Sequence, residues 1–250
     1  MVEKIFSSIG HAHDWIVKYL IQEDVQLVTE DGASTLESDF PVTLIVLQPF
    51  SDPMISPAYL FSKQKAEEYV KQFTALTPPH SNEVKNFAYT YFNRLADYPY
   101  RTDYGDWVGN GKGTGINQLK ESIIDRLVIN PTSRRAIAIT LVPELDLKSH
   151  DPPCMQYVHC MIRNKRLNMI AYFRSNDMMS AWGANAYGLA HLQRLILTQI
   201  NDAMNDSYAM SGNDEYATYQ IGWLMTTSGS AHLYESDGMQ HKEFRRYLNI

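Results

Sequence analysis

The chain has 250 residues, with 22 Lys and Arg against 28 Asp and Glu for a formal charge of −6, and 44% hydrophobic residues. That is enough chain for a large domain with a sizeable core, and the mixed composition excludes a disordered, collagenous or coiled-coil protein. No apolar run of about 18 residues occurs, which excludes a helical membrane span, and the acidic balance argues against a protein built to grip a nucleic-acid backbone.

The first predicted element is a helix over residues 11–22, where Trp15, Ile16, Tyr19 and Leu20 form one apolar stripe. Asp31-Gly32 turns the chain toward a compact strand, Val42 to Leu47. A second helix is expected over residues 57–75, with Ala66, Tyr69, Val70 and Phe73 on its buried side, stopping before Pro78-Pro79. A polar, glycine-rich loop follows at residues 103–115, then a helix over 116–128 that ends before Asn130-Pro131. The second half reads as a strand at 136–142 and a hairpin of 155–163 with 166–174 around Asn164-Lys165. A long helix over 184–204 and a strand over 216–224 complete it. With no internal repeat or linker, the expectation is one α+β domain over residues 1–250, a mixed multi-stranded sheet covered by helices.

Cys154 and Cys160 supply neither a disulfide framework nor a four-ligand zinc site. The N-terminal MVEKIFSSIGHAHDW lacks the basic-then-apolar pattern of a secretory signal. The chain therefore reads as cytoplasmic, with reduced thiols and no metal.

Four segments invite a chemical reading. Pro152-Pro153-Cys154 fixes the backbone of a cysteine where a polar loop enters a strand, a place for a nucleophile or for a small buried hydrophobe. Ser133-Arg134-Arg135 is either a solvated basic pair or an anion clamp. Arg174-Ser175-Asn176-Asp177 closes the hairpin with the donors of a phosphate cradle. His232-Leu233-Tyr234 places two polar rings on one side of an extended segment.

Together these segments resemble the thymidylate synthase and deoxycytidylate hydroxymethylase family. The segment DPPCMQYVHCMIRNKRLNMIAYFRSNDMMSAWGANAYGLAHLQ is similar to the family's Pro-Cys nucleophile, its hairpin ending in Arg-Ser-x-Asp, and its Asn or Asp eight residues further on. NPTSRRAIAI resembles the double-arginine segment, GSAHLY the His-x-Tyr segment and YRTDYGDW the Tyr-Gly loop that holds Tyr104. The likeness is close over about residues 100 to 235 and weaker before them. Five ordered motifs with compatible spacing are far more specific than any one alone.

The resemblance implies transfer of a one-carbon unit to C5 of a pyrimidine nucleoside monophosphate, with 5,10-methylenetetrahydrofolate or a modified pterin analogue as donor. It makes Cys154 the thiolate that adds to C6. Arg174 and Ser175 hold phosphate, and His232 and Tyr234 the sugar hydroxyl. Asp177 serves base and pterin, and Tyr104 joins the catalytic group. It also implies a sheet-face homodimer in which Arg134 and Arg135 reach the partner's phosphate. Asn185 stands where the base is read. A carboxamide matches O4 and N3–H of uracil, whereas family members acting on cytosine carry Asp there. The family's glutamate falls on Glu67 or Glu68, of which Glu67 lies nearer the buried stripe, unless both are solvated helix glutamates.

Three departures qualify the match. Glu30-Asp31-Gly32 puts an acid where the family's early turn carries a phosphate-binding cation, so either another residue supplies the charge, Arg101 being one candidate, or the early turn aligns elsewhere. Met155 follows the nucleophile where His is common, and the chain ends at Ile250 without the family's usual closing tail. An open end weakens methylation against hydroxymethylation, since water can then reach the site, but shorter archaeal-type thymidylate synthases also resemble this chain. Methylation of dUMP stands first and C5 hydroxymethylation of dUMP, dCMP or CMP second. A nucleotide-binding pseudoenzyme and a plain interaction module are the rivals from other classes.

Overall fold

The structure is a computed structural model that describes residues 2–77, 89–211, 218–236 and 238–250. It is a mixed α+β structure built on an eight-stranded sheet of order β1-β4-β10-β9-β8-β7, with β3 on β10 and β2 on β3. The chain divides into two compact units that interleave in sequence, residues 1–69, 170–190 and 223–250 in one, residues 70–169 and 191–222 in the other.

In the first unit β1 (Val2–Phe6) runs parallel to β4 (Val42–Val46), which pairs antiparallel with β10 (Gln220–Tyr234). β10 also carries β3 (Ser34–Glu37), whose hairpin partner is β2 (Gln26–Val28). The helix α1 (Ile9–Glu23) starts at Ser8, whose side chain accepts from the His11 N–H, and its expected stripe is buried at Ile16 and Leu20. α7 (Gly238–Leu248) packs on α1 through Phe244, fully buried.

In the second unit β7 (Ile137–Ile139) pairs antiparallel with β8 (Met155–Arg163), and β8 turns through Asn164 and Lys165, both with positive φ, into the start of β9 (Arg166–Asp177), whose residues from 170 onward belong to the first unit. This is the expected hairpin. α3 (Tyr91–Ala96) is capped by Thr90, and its Arg94 makes a two-toothed ion pair with Asp146 of α5 (Pro143–Asp146) at 2.9 and 3.0 Å, both side chains buried.

Several elements differ from the sequence expectation. α2 begins at Lys63 and ends at Thr74, not at residue 57. The backbone of Ala58 and Leu60 bonds to the Gln240 side chain instead, and Ser62 caps the helix, accepting from the Lys65 N–H. Pro78 and Pro79 lie outside the described residues. The helix expected over 116–128 is a π-helical stretch, Leu119–Ile124, that continues into α4 (Asp125–Ile129). There Lys120 and Asp125, five apart, meet at 2.6 Å, a pairing that suits the wider turn. The strand expected to end at Val142 stops at Ile139 because Val142 instead leads into α5, with Pro143 in its first turn.

The long helix α6 runs from Trp182 to Ser211, and the last strand, β10, extends ten residues past its expected end at Leu224. The polar run after Leu224 looks like loop, yet each side chain is matched. Thr226 Oγ1 accepts from Trp182 Nε1 at 3.0 Å, Thr227 shares a hydrogen bond with Thr43, and Ser228 Oγ accepts from Asn176 Nδ2 at 3.4 Å. Gly229 is required there, since a Cβ would sit 2.9 Å from the Arg174 carbonyl oxygen. The start of the expected strand, Tyr216, lies outside the described residues.

Candidate functional site

In the second unit the sheet sets the cysteine. Pro153 is buried and Cys154 half-buried immediately before β8. The Gln156 side chain donates to the Pro153 carbonyl oxygen, and the Met155 N–H donates to the Tyr91 hydroxyl at 3.4 Å. Thr140 closes the other side, its N–H on the Gln156 carbonyl at 2.9 Å and its hydroxyl on that of Met155. Cys154 is therefore a half-buried residue on a backbone tied down on both flanks. Cys160 contrasts with it. It is fully buried on β8, and burial pushes its thiol up to about 12.

Tyr104 stands at the tip of a hairpin between β5 (Tyr100–Arg101) and β6 (Trp107–Val108), 95% exposed. Arg101 donates to the Gly105 carbonyl oxygen at 2.9 Å, so the proposed substitute cation is engaged in shaping this turn. Buried Asp97 anchors the rest of the glycine-rich loop, its carboxylate accepting from the N–H groups of Gly111, Gly113 and Gly115. Arg134 and Arg135 are exposed, just before β7.

In the first unit the end of β9 presents Arg174, exposed, followed by half-buried Ser175 and Asp177. Asp177 Oδ1 accepts from the N–H groups of Met179 and Ser180 at 2.9 and 3.2 Å, which orients its carboxylate and starts the turn into α6. Asn185, 4% exposed, sits in the first turn of α6, and its Oδ1 accepts from the Tyr69 hydroxyl at 2.7 Å.

His232 and Tyr234 do share one side of β10, as their spacing predicts. Their ring centroids are 4.9 Å apart in an edge-on arrangement. His232 is 6% exposed and cross-strand from Glu37. Burial lowers its pKa first, Glu37 and the Ser230 backbone pull it back up, and the Arg174 charge lowers it again. A neutral ring of this kind can donate to or accept from a hydroxyl. Arg174, His232 and Tyr234 are thus brought together, while Glu67 and Glu68 are both exposed on α2. Ala66 and Phe73 of the expected stripe are fully buried.

The early turn also forms where the sequence places it. Gly32, with φ 82°, donates to the Thr29 carbonyl oxygen between β2 and β3. Glu30 and Asp31 are exposed at its tip. Among the described residues no group of three or more His, Cys, Asp or Glu is placed to hold a metal, and no helix is long and apolar enough to cross a membrane.

Tyr69 and Asp97 were not singled out by the sequence. Asp97 had a faint signal in the glycines at 111, 113 and 115, whose alternate amides suit one acceptor. Tyr69 had none, because its partner is 116 residues away.

The thymidylate synthase family model matches residues 64–246. Relatives named "Putative thymidylate synthase" include one from Methanosarcina barkeri, 28% identical over 218 residues, covering 87% of this chain and 83% of its own length. One from Methanothermobacter thermautotrophicus is 31% identical over 189 residues, 76% of this chain and 68% of its own. One from Methanocaldococcus jannaschii is 30% identical over 198 residues, 77% and 80%.

Proposed function

Because the chain belongs to the thymidylate synthase family, a family of one-carbon transferases acting on C5 of pyrimidine nucleotides with a methylenetetrahydrofolate-type donor, we propose that it converts dUMP to dTMP within a single domain over residues 1–250. The observation that carries this reading is the half-buried Cys154 on its two-sided backbone support, in contrast to Cys160, which burial leaves inert. In the proposal the Cys154 thiolate adds to C6 of the base. The ring double bond's electrons move toward O4, and C5 becomes the carbon that attacks.

The chain's other residues bind and orient. Arg174 and Ser175 hold the phosphate from one side. Arg134 and Arg135 hold it from the other, across a homodimer. That assembly is supported by the exposure of both arginines and by Ile137 and Ile139, which are 41% and 42% exposed beside them on β7. His232 and Tyr234 take the sugar 3′-hydroxyl, and a neutral His232 suits an uncharged partner. Asn185 reads the uracil edge, donating to O4 and accepting from N3–H. Glu67 and Tyr104 serve proton movements at the base. The exposure of both favours a role that completes only when substrate is bound.

Asp177 fits the donor pterin in one respect: it is a half-buried carboxylate already oriented by two amides, matched to an edge rich in N–H groups. Methylenetetrahydrofolate, or a modified pterin analogue, supplies the one-carbon unit and, for a methyl product, the hydride. The reading places the protein in the cytoplasm, where such nucleotides are made. Mass spectrometry of the product from dUMP and methylenetetrahydrofolate tests it. A methylated nucleotide is expected. A product heavier by one further oxygen assigns hydroxymethylation instead, and unmodified dUMP refutes both.

A further inference from the structure

We propose that Tyr69 is a positioning residue for base selection, its hydroxyl fixing which end of the Asn185 carboxamide faces the pyrimidine; this rests on the reading that Asn185 contacts the base. The Tyr69 hydroxyl donates to Asn185 Oδ1 at 2.7 Å and so links α2 to the first turn of α6. Asn185 is itself held by the helix, its N–H on the Ala181 carbonyl oxygen at 2.9 Å, and it is 4% exposed.

The Tyr69 ring is braced as well. Phe61 meets it edge-on with centroids 6.0 Å apart, Tyr59 stacks on Phe61 at 5.1 Å, and the Tyr59 hydroxyl donates to the Ser180 carbonyl oxygen. The chain of rings that holds Tyr69 is therefore anchored five residues before Asn185, so donor and acceptor share one support. Such bracing keeps a hydrogen-bond geometry through substrate binding.

The consequence follows from the amide's near-symmetry. Half a turn about χ2 exchanges the oxygen and the NH₂ of Asn185 with little change of shape, and the two orientations read opposite edges. With Oδ1 on Tyr69, its second lone pair suits the N3–H of uracil while Nδ2 donates to O4. Cytosine offers N4–H₂ and a bare N3, so it needs the inverted amide, with Tyr69 accepting from Nδ2. A phenol accepts more weakly than it donates, because its oxygen lone pair is delocalised into the ring. Inversion therefore weakens one hydrogen bond, a preference for uracil of about five- to tenfold.

The test is calorimetric titration of the full chain with dUMP and with dCMP, for wild type, Tyr69→Phe and Asn185→Asp. Phenylalanine keeps the ring on Phe61 and removes only the hydroxyl. The expected result is a dUMP-to-dCMP affinity ratio about five- to tenfold smaller in Tyr69→Phe, with dCMP affinity held or raised. An equal loss for both nucleotides makes Tyr69 a merely structural support, and an unchanged ratio gives its hydroxyl no part; either overturns the proposal. Asn185→Asp separates the two layers. If it shifts the ratio toward dCMP and Tyr69→Phe does not, the positioning role alone fails. If Asn185→Asp leaves the ratio unchanged, Asn185 does not read the base, and the underlying assignment fails with it. A wild-type chain that binds neither nucleotide overturns both.

Discussion

Lowering the pH should cost this protein stability through one buried imidazole. His13 on α1 is 1% exposed, boxed by Tyr59, Trp182 and Phe244, with Gly183 against its ring. Its Nε2 donates to the Met178 carbonyl oxygen at 2.8 Å, and Nδ1 has no hydrogen-bond partner among the described residues. Burial lowers its pKa to about 4, against a smaller upward pull from the Met178 and Met179 backbone. Among the described residues no carboxylate contributes to its shift. The unfolded chain takes up the proton near pH 6.5 and the folded chain only near 4, so stability is full above about 6.5 and falls as pH drops between those values. Between pH 7.5 and pH 5 the loss from His13 alone is about 2 kcal/mol. Urea unfolding at the two pH values, for wild type and His13→Phe, isolates it, since every other titratable group is common to the two proteins. Wild type should lose about 2 kcal/mol more than the variant over that interval. Equal losses in the two proteins would refute the reasoning.

Two further outcomes follow from the second unit. A thiol reagent on the native protein should modify Cys154 and spare Cys160, which is fully buried and raised to about 12. Denaturation should then release the second equivalent, and two native equivalents would contradict the placement of Cys160. Asp146→Ala should destabilise the protein by about 3 to 5 kcal/mol, because it strands the buried Arg94 guanidinium. A change below about 1 kcal/mol in urea unfolding would show that this pair is not desolvated.

The elements read correctly from sequence are those whose burial shows as a period. The α1 stripe and the β8–β9 hairpin are carried by residues whose spacing alone places them against the core. β10 beyond Leu224 was hidden because Thr226, Thr227 and Ser228 take partners on α6, β4 and β9, and no local rule anticipates those partners. The late start of α2 has the same origin, in Gln240 far along the chain claiming the backbone of residues 58 and 60. Of the candidate site, the His232–Tyr234 pair was legible from a period of two, and Cys154 from the Pro pair that fixes its entry to β8. Tyr69 was read only as part of a buried stripe. Its hydroxyl's target lies on an element that periodicity cannot pair with α2.

The central claim is that Cys154 is the carbon-bonding nucleophile, and 5-fluoro-dUMP tests it most directly, since fluorine at C5 blocks the release that normally follows addition. Incubation of the protein with 5-fluoro-dUMP and methylenetetrahydrofolate, then intact-mass and peptide mass spectrometry, should show a stable adduct on Cys154. Cys154→Ser should give no adduct while still binding the nucleotide. An unmodified wild-type protein that binds the nucleotide, or an adduct on any other residue, would contradict the account.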